Sequence, residues 1–196
     1  EITVFVEAWD GRPLPINHPS DDNGQPITAN SPQVMQSSVV GFLFNVVARE
    51  DLRGISGELW IDIDKAASVP GGTEALEKIN SGEGLEVSTA YYTFTDNVPG
   101  EWMNTKSGKA EAFDGTQTGL RPDHLALLPG AVGACNWADG CGAPRVNADD
   151  QPVISSEDTN SELSVKKDIK INGKQLGKVL IGVLAAHLGA GCPATT

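Results

Sequence analysis

The chain has little of what most catalytic and binding motifs require. Its 196 residues include three histidines, three cysteines and two methionines. There is no GxxxxGK[ST] loop, no GxGxxG opening a helix, no HExxH and no GxSxG elbow. Those absences set aside phosphate-cradling loops, dinucleotide binding, zincin chemistry and the strand-to-helix serine elbow. Cys135, Cys141 and Cys192 are odd in number and form no CxxC pair, and His187 with Cys192 is too isolated for a zinc site. No metal and no cofactor is therefore expected. Cys135 and Cys141 could close across a glycine-rich loop, but free thiols in a reducing cytosol are the expectation.

Basic residues are also scarce. Fourteen Lys and Arg stand against 26 Asp and Glu, a net charge of −12. A nucleic-acid surface needs clustered cations, so no nucleic-acid partner is expected. No stretch reaches the roughly 20 apolar residues of a membrane helix, no signal-peptide pattern opens the chain, and no membrane partner is expected.

Glycine (22) and proline (12) are plentiful, which favours many turns and short strands over long helices. The length fits one domain with an appendage: a main domain over 1–148, then a polar linker and helical tail over 149–196. Alternation predicts a first strand over 1–9, broken at Pro13 and Pro15. A polar loop follows from Asp21. An apolar strand over 37–48 pairs with an alternating strand over 55–64, with Leu59, Ile61 and Ile63 inward and Glu58, Asp62 and Asp64 outward. The period changes over 72–82, where Ala75, Leu76 and Ile79 lie at helical spacing, Thr73 can cap and Gly82 stops the helix. The stretch from Asp96 to Gly108 reads as a turn-rich excursion. Pro122 and Pro129 bracket a short strand. Leu176, Val179, Leu180, Val183 and Leu184 predict a short docking helix over 174–188, with His187 near its end. The fold class is mostly β (α+β), a small closed or strongly curved antiparallel barrel with a few peripheral helices.

The segment 84–94 (Gly-Leu-Glu-Val-Ser-Thr-Ala-Tyr-Tyr-Thr-Phe) is rich in β-branched and aromatic residues and reads as a strand. Alternation puts Ser88, Ala90, Tyr92 and Phe94 on one face. His18 lies before this strand and precedes Pro19, which holds its backbone extended. His124 lies after it, on a face with Ala126 and Leu128, with Asp123 on the opposite face. The excursion between the two strands is long enough for an antiparallel pair, which would set Ser88 beside His124. A serine hydroxyl becomes a nucleophile when a base within reach takes its proton. Histidine suits that task near neutral pH, and a third group must fix the base's tautomer.

Four segments carry a resemblance: Asn17-His18-Pro19; Gly57-Glu58-Leu59-Trp60-Ile61-Asp62; Leu85-Glu86-Val87-Ser88-Thr89-Ala90-Tyr91-Tyr92; and Arg121-Pro122-Asp123-His124-Leu125-Ala126-Leu127-Leu128-Pro129-Gly130. Together they resemble the tailed-phage prohead (capsid maturation) proteases, which are similar in fold and in His, Ser, His order to herpesvirus assemblins. Ala90 stands where a glycine is common, and Asp123 where an asparagine is common. The resemblance implies Ser88 as nucleophile, His18 as general base and His124 as third member of the triad. Backbone amides of Ala131, Val132, Gly133 and Ala134 are proposed to stabilise the oxyanion, since small residues let amides approach a ligand closely. It further implies a serine endopeptidase inside the phage prohead in the host cytoplasm. Its substrates would be the scaffold and major capsid proteins, and itself, and it could act as a homodimer. Two other readings remain open: a catalytically silent structural or scaffold-binding module, and a hydrolase with a Cys135 thiol as nucleophile.

Overall fold

The computed structural model describes residues 5–49, 54–104 and 108–144, and the backbone of two further strands at 166–171 and 174–185. The protein is mostly β with few helices. A five-stranded sheet has the order β1-β2-β3-β9-β8, and two separate two-stranded ribbons pair β4 with β7 and β5 with β6.

The large sheet is built on an antiparallel pair, β2 (Val39–Arg49) and β3 (Gly54–Asp62). As the alternation predicts, Leu59 and Ile61 of β3 are buried. The predicted strand end shifts, because Asp62 accepts the Lys65 amide and caps α2 (Ile63–Ser68) instead. Ile63 thus opens a helix and is only half-buried. On the other edge of β2 lies β1 (Pro13–Pro15). The proline segment expected only to break a strand is thus itself a short edge strand, a place where a missing amide is tolerated. Val6–Trp9 forms a 3-10 turn where a strand was expected; residues 1–4 lie outside the described set.

α1 (Pro32–Ser37) precedes β2, its end capped by the Ser31 hydroxyl. α3 (Gly72–Ser81) stops at Gly82 with φ +73°, as predicted. Its N-cap is Gly71 rather than Thr73. Lys78 of α3 donates to the Pro129 carbonyl and ties the helix to the end of β7.

Three expectations fail. No sheet closes into a barrel among the described residues: the β4–β7 ribbon is hydrogen-bonded to no strand of the large sheet, and an isolated parallel bridge pairs Leu127 with Ile16, just past β1. The reason is in the second failure. The segment read as a docking helix is strand β9 (Lys174–Ala185), which takes the free edge of β3 along its whole length and is followed outward by β8 (Lys166–Ile171). Gly177, Gly182 and the β-branched residues of that segment weaken a helix more than its apolar spacing supports one. His187 and Cys192 lie outside the described residues. Third, the excursion after Asp96 contains a hairpin, β5 (Gly100–Asn104) with β6 (Lys109–Phe113).

One core unites these parts. Trp9, Leu14, Ile16, Leu43, Leu59 and Ile61 from the large sheet's side meet Val87, Leu125 and Leu127 from the ribbon, with Ala75 and Ile79 of α3. The ribbon therefore rests its inward face on the same core as the sheet.

Cys135 and Cys141 form a disulfide with Cα atoms 5.7 Å apart, which corrects the expectation of free thiols and removes Cys135 as a candidate thiol nucleophile. The bond closes a small ring, six positions apart, for which chain entropy gives a stabilisation of about 2 kcal/mol. Reduction should lower the melting temperature by about 4–8 °C. Thermal unfolding with and without reductant, beside a Cys135→Ser/Cys141→Ser double variant, checks this.

Candidate active site

The ribbon pairs β4 (Glu86–Thr95) with β7 (Gln117–Leu128), antiparallel, so that Ser88 faces Ala126 and Ala90 faces His124. Ser88 and His124 are therefore diagonal neighbours on one face, a relation that spans about 7 Å between backbones. The expected antiparallel pair forms, but β7 is a continuous strand that runs through Pro122. The register slips between Ala90 and Tyr91, whose partners are His124 and Pro122. Asp123 is left as the extra residue of a bulge. A bulge re-aims side chains and breaks the alternation of faces. That is why Asp123, placed by parity opposite His124, reaches it: Asp123 Oδ2 lies 2.6 Å from His124 Nδ1. Both residues are buried, at 5 % and 3 % exposure.

A loop holds the carboxylate from the other side. Thr28 Oγ1 donates to Asp123 Oδ1 at 2.6 Å, Asn30 Nδ2 donates to the same oxygen at 2.9 Å, and the Ala29 amide donates to Oδ2 at 3.0 Å. Burial alone would push the Asp123 carboxyl up; hydrogen bonds from Thr28, His124, Ala29 and Asn30 outweigh it and hold it below the ordinary carboxylate value.

His18 arrives on the segment that follows β1. The Ile16 amide donates to Ser38 and the Asn17 amide to the Leu127 carbonyl at 2.9 Å, and Asn17 turns the chain with φ +61°. The imidazole of His18 then meets that of His124, with His18 Nδ1 2.9 Å from His124 Nε2. An ionised carboxylate only accepts, so Nδ1 of His124 carries the proton and its Nε2 is the acceptor. His18 Nδ1 in turn carries a proton, which leaves the lone pair on His18 Nε2. That nitrogen has no partner among the described residues, and His18 is the exposed end of the chain. Burial lowers the pKa of His124, and Asp123 offsets this only in part. The His18 pKa is lowered first by the protein packed around its ring, then by the charge of His124. Both rings are thus neutral at pH 7, the state a base requires.

Ser88 is half-buried. Among the described residues its hydroxyl forms no hydrogen bond to either imidazole. Such contacts are commonly long until substrate closes a site. The structure thus joins two of the three proposed groups directly and sets the third on the adjoining strand.

The loop after β7 is fastened over the start of β4. Leu85 and Ala143 exchange both backbone hydrogen bonds. The Glu86 carboxylate accepts the Gly133 amide at 3.3 Å and the Trp137 amide at 2.8 Å. Gly133 packs so closely that a Cβ there would lie 2.4 Å from the Val87 carbonyl oxygen. Of the four residues Ala131, Val132, Gly133 and Ala134, Gly133 thus lies directly against the strand that carries Ser88. The Gly133 amide is already engaged by Glu86, and Ala131, Val132 and Ala134 are exposed.

Reading the sequence missed Asp123, Thr28, Ala29, Asn30 and Glu86. One signal for Asp123 was available. A proline inside a strand favours a bulge, and Pro122 stands directly before it. Nothing marks the 28–30 loop as its cradle.

No protein-family model, no curated protein and no solved structure matches this chain. Among the described residues no cluster of His, Cys, Asp and Glu could hold a metal ion, and no helix is long and apolar enough to cross a membrane.

Proposed function

We propose that the protein is a serine endopeptidase in which Ser88 attacks the peptide carbonyl, His18 takes its proton and His124 holds His18. The supporting observation is the contact chain from Asp123 through His124 to the exposed His18; with the carboxylate as acceptor it runs one way and leaves His18 Nε2 as the basic end. A buried, ordered acid–imidazole–imidazole chain with an open basic end is what nucleophile activation needs.

In acylation the Ser88 oxygen forms a bond to the carbonyl carbon as its proton passes to His18 Nε2. The C–N bond then breaks, and the amine leaves with that proton. Water, deprotonated by the same nitrogen, hydrolyses the ester. The oxyanion would lie against free amides of the 131–134 loop, with each donor worth about 3 kcal/mol in the transition state. The resemblance to prohead proteases supports scaffold and capsid-protein segments, and the chain itself, as substrates, acting as a homodimer within the immature head.

A fluorophosphonate tests the reading. Labelling confined to Ser88, found by mass spectrometry of the digested adduct, supports the hydrolase. No adduct at Ser88 under assembly conditions favours the silent scaffold-binding module.

A further inference from the structure

We propose that Asp123 is a positioning residue of this site: gripped by the 28–30 loop, it sets the direction of the whole hydrogen-bond chain and so decides which nitrogen of His18 is basic. The inference rests on the serine-hydrolase reading for its kinetic consequences but not for its structural ones.

The polarity follows from which groups can reverse. An isolated pair of imidazoles is ambiguous, since either ring can donate to the other and either tautomer of each is accessible. One fixed acceptor at one end removes the ambiguity. Asp123 Oδ2 is that acceptor, and its own position is over-determined by three donors: the Thr28 hydroxyl, the Asn30 amide group and the Ala29 backbone amide. Of these only the Ala29 N–H has no freedom to turn, and it points at the same oxygen that meets His124. The charged and titratable groups in contact with His124 are Asp123 from its own strand and His18 from the segment beyond β1. The 28–30 loop and Ala90 across the ribbon contribute none. The chain is therefore closed to competing charges among the described residues.

The fixed amide makes two substitutions behave differently. In Asp123→Asn the side-chain oxygen must face Ala29 and His124, because an NH₂ there would oppose the Ala29 N–H. The NH₂ then faces Thr28 and Asn30, whose hydroxyl and amide can turn to accept it. Direction is kept and charge is lost. In Asp123→Ala the acceptor itself is gone, and His124 is free to carry its proton on Nε2. His18 Nδ1 then accepts, and His18 Nε2 becomes protonated and unable to act as a base. The wrong tautomer of a catalytic histidine costs on the order of 10⁴-fold.

The experiment reads tautomers and rates separately. Long-range ¹H–¹⁵N spectra of ¹⁵N-histidine protein assign the ring protons; a chain with three histidines keeps the assignment simple. The rate constant for fluorophosphonate modification of Ser88 and its pH profile report the base. In the native protein, His18 and His124 are expected to carry their protons on Nδ1. Asp123→Asn should keep both tautomers, slow modification about 10-fold with little change in reagent affinity, and move the basic limb to lower pH, because a charge favouring the imidazolium has been removed. Asp123→Ala should lose the fixed tautomers and slow modification by 10³-fold or more. If Asp123→Ala fails to fold, Asp123→Asn alone decides. A proton on Nε2 of His124 in the native protein, or an Asp123→Asn variant with unchanged rate and pH limb, overturns the inference. A native protein that shows both Nδ1 protons but never modifies Ser88 keeps Asp123 in its role and ends the hydrolase reading instead.

Discussion

Replacing Ser88 by alanine is expected to lower peptide-bond cleavage by at least 10⁴-fold while leaving the melting temperature within about 2 °C of the parent. On the proposed mechanism the kinetic loss follows from removing the atom that forms the acyl bond: without it His18 has no hydroxyl to deprotonate, and what survives is binding and any oxyanion stabilisation of a water attack. The small thermal effect follows from the surroundings. Ser88 is half-buried, its backbone is paired with Ala126, and its hydroxyl bonds to neither imidazole. Deleting it leaves no orphaned partner, and a methyl is tolerated beside Ala126 and Ala90, so the change stays within the roughly 0.5 kcal/mol of an ordinary partly exposed substitution. Co-expression with scaffold or capsid segments, read by mass spectrometry of the fragments, measures the first quantity, and thermal unfolding the second. An alanine variant that cleaves at the parent rate removes Ser88 from the chemistry. A parent that cleaves nothing, alongside an unlabelled Ser88, returns the protein to the silent-module reading.

The parts of this site that could be read from the sequence are those where local pattern and tertiary structure agree. The alternation at 84–94 and the small residues around His124 are enough to place Ser88, Ala90, His124 and Ala126 on one face of a ribbon, and the pairing has that register. Leu59 and Ile61 are buried for the same reason. What could not be read depends on breaks in the pattern or on chain partners far away. Asp123 contacts His124 because a bulge cancels the parity rule that would separate them. Thr28, Ala29 and Asn30 hold it across some ninety positions of sequence, and a polar loop carries no mark of what it will grip. At the 174–185 segment two local signals conflict, apolar spacing for a helix against glycine and β-branching for a strand. The open edge of β3 decides the conflict. Among the described residues that same pairing leaves an open sheet where a barrel was expected, because the edge a closing strand would need is filled by β9.

His18→Ala should cost about 10³- to 10⁴-fold in the rate of Ser88 modification and remove the basic limb of its pH profile, while His124→Ala should cost less and shift that limb upward. The ordering follows from position in the proposed relay: His18 would take the hydroxyl proton directly, whereas His124, bonded to His18 Nδ1, would act through it. The sign of the shift follows from what lowers the His18 pKa, the protein around its ring first and then the charge of His124. Removing His124 takes away the second cause and lets water into the space its ring filled, which weakens the first. His18 then titrates nearer the ordinary histidine value, so the pH at which half the base is neutral rises. In the parent, activity should climb with pH through an apparent value below that of an ordinary histidine and then level off, the two rings titrating as one coupled pair. Asp123→Asn moves the same limb the other way, since the carboxylate is the group that favours the charged relay. Substitutions at adjacent positions of one strand would then displace one titration in opposite directions. General loosening of the site drives both toward the ordinary histidine value, so divergence requires that Asp123 and His124 act on the titration with opposite charge effects. Limbs that shift together in the two variants would show that the imidazoles respond to packing alone.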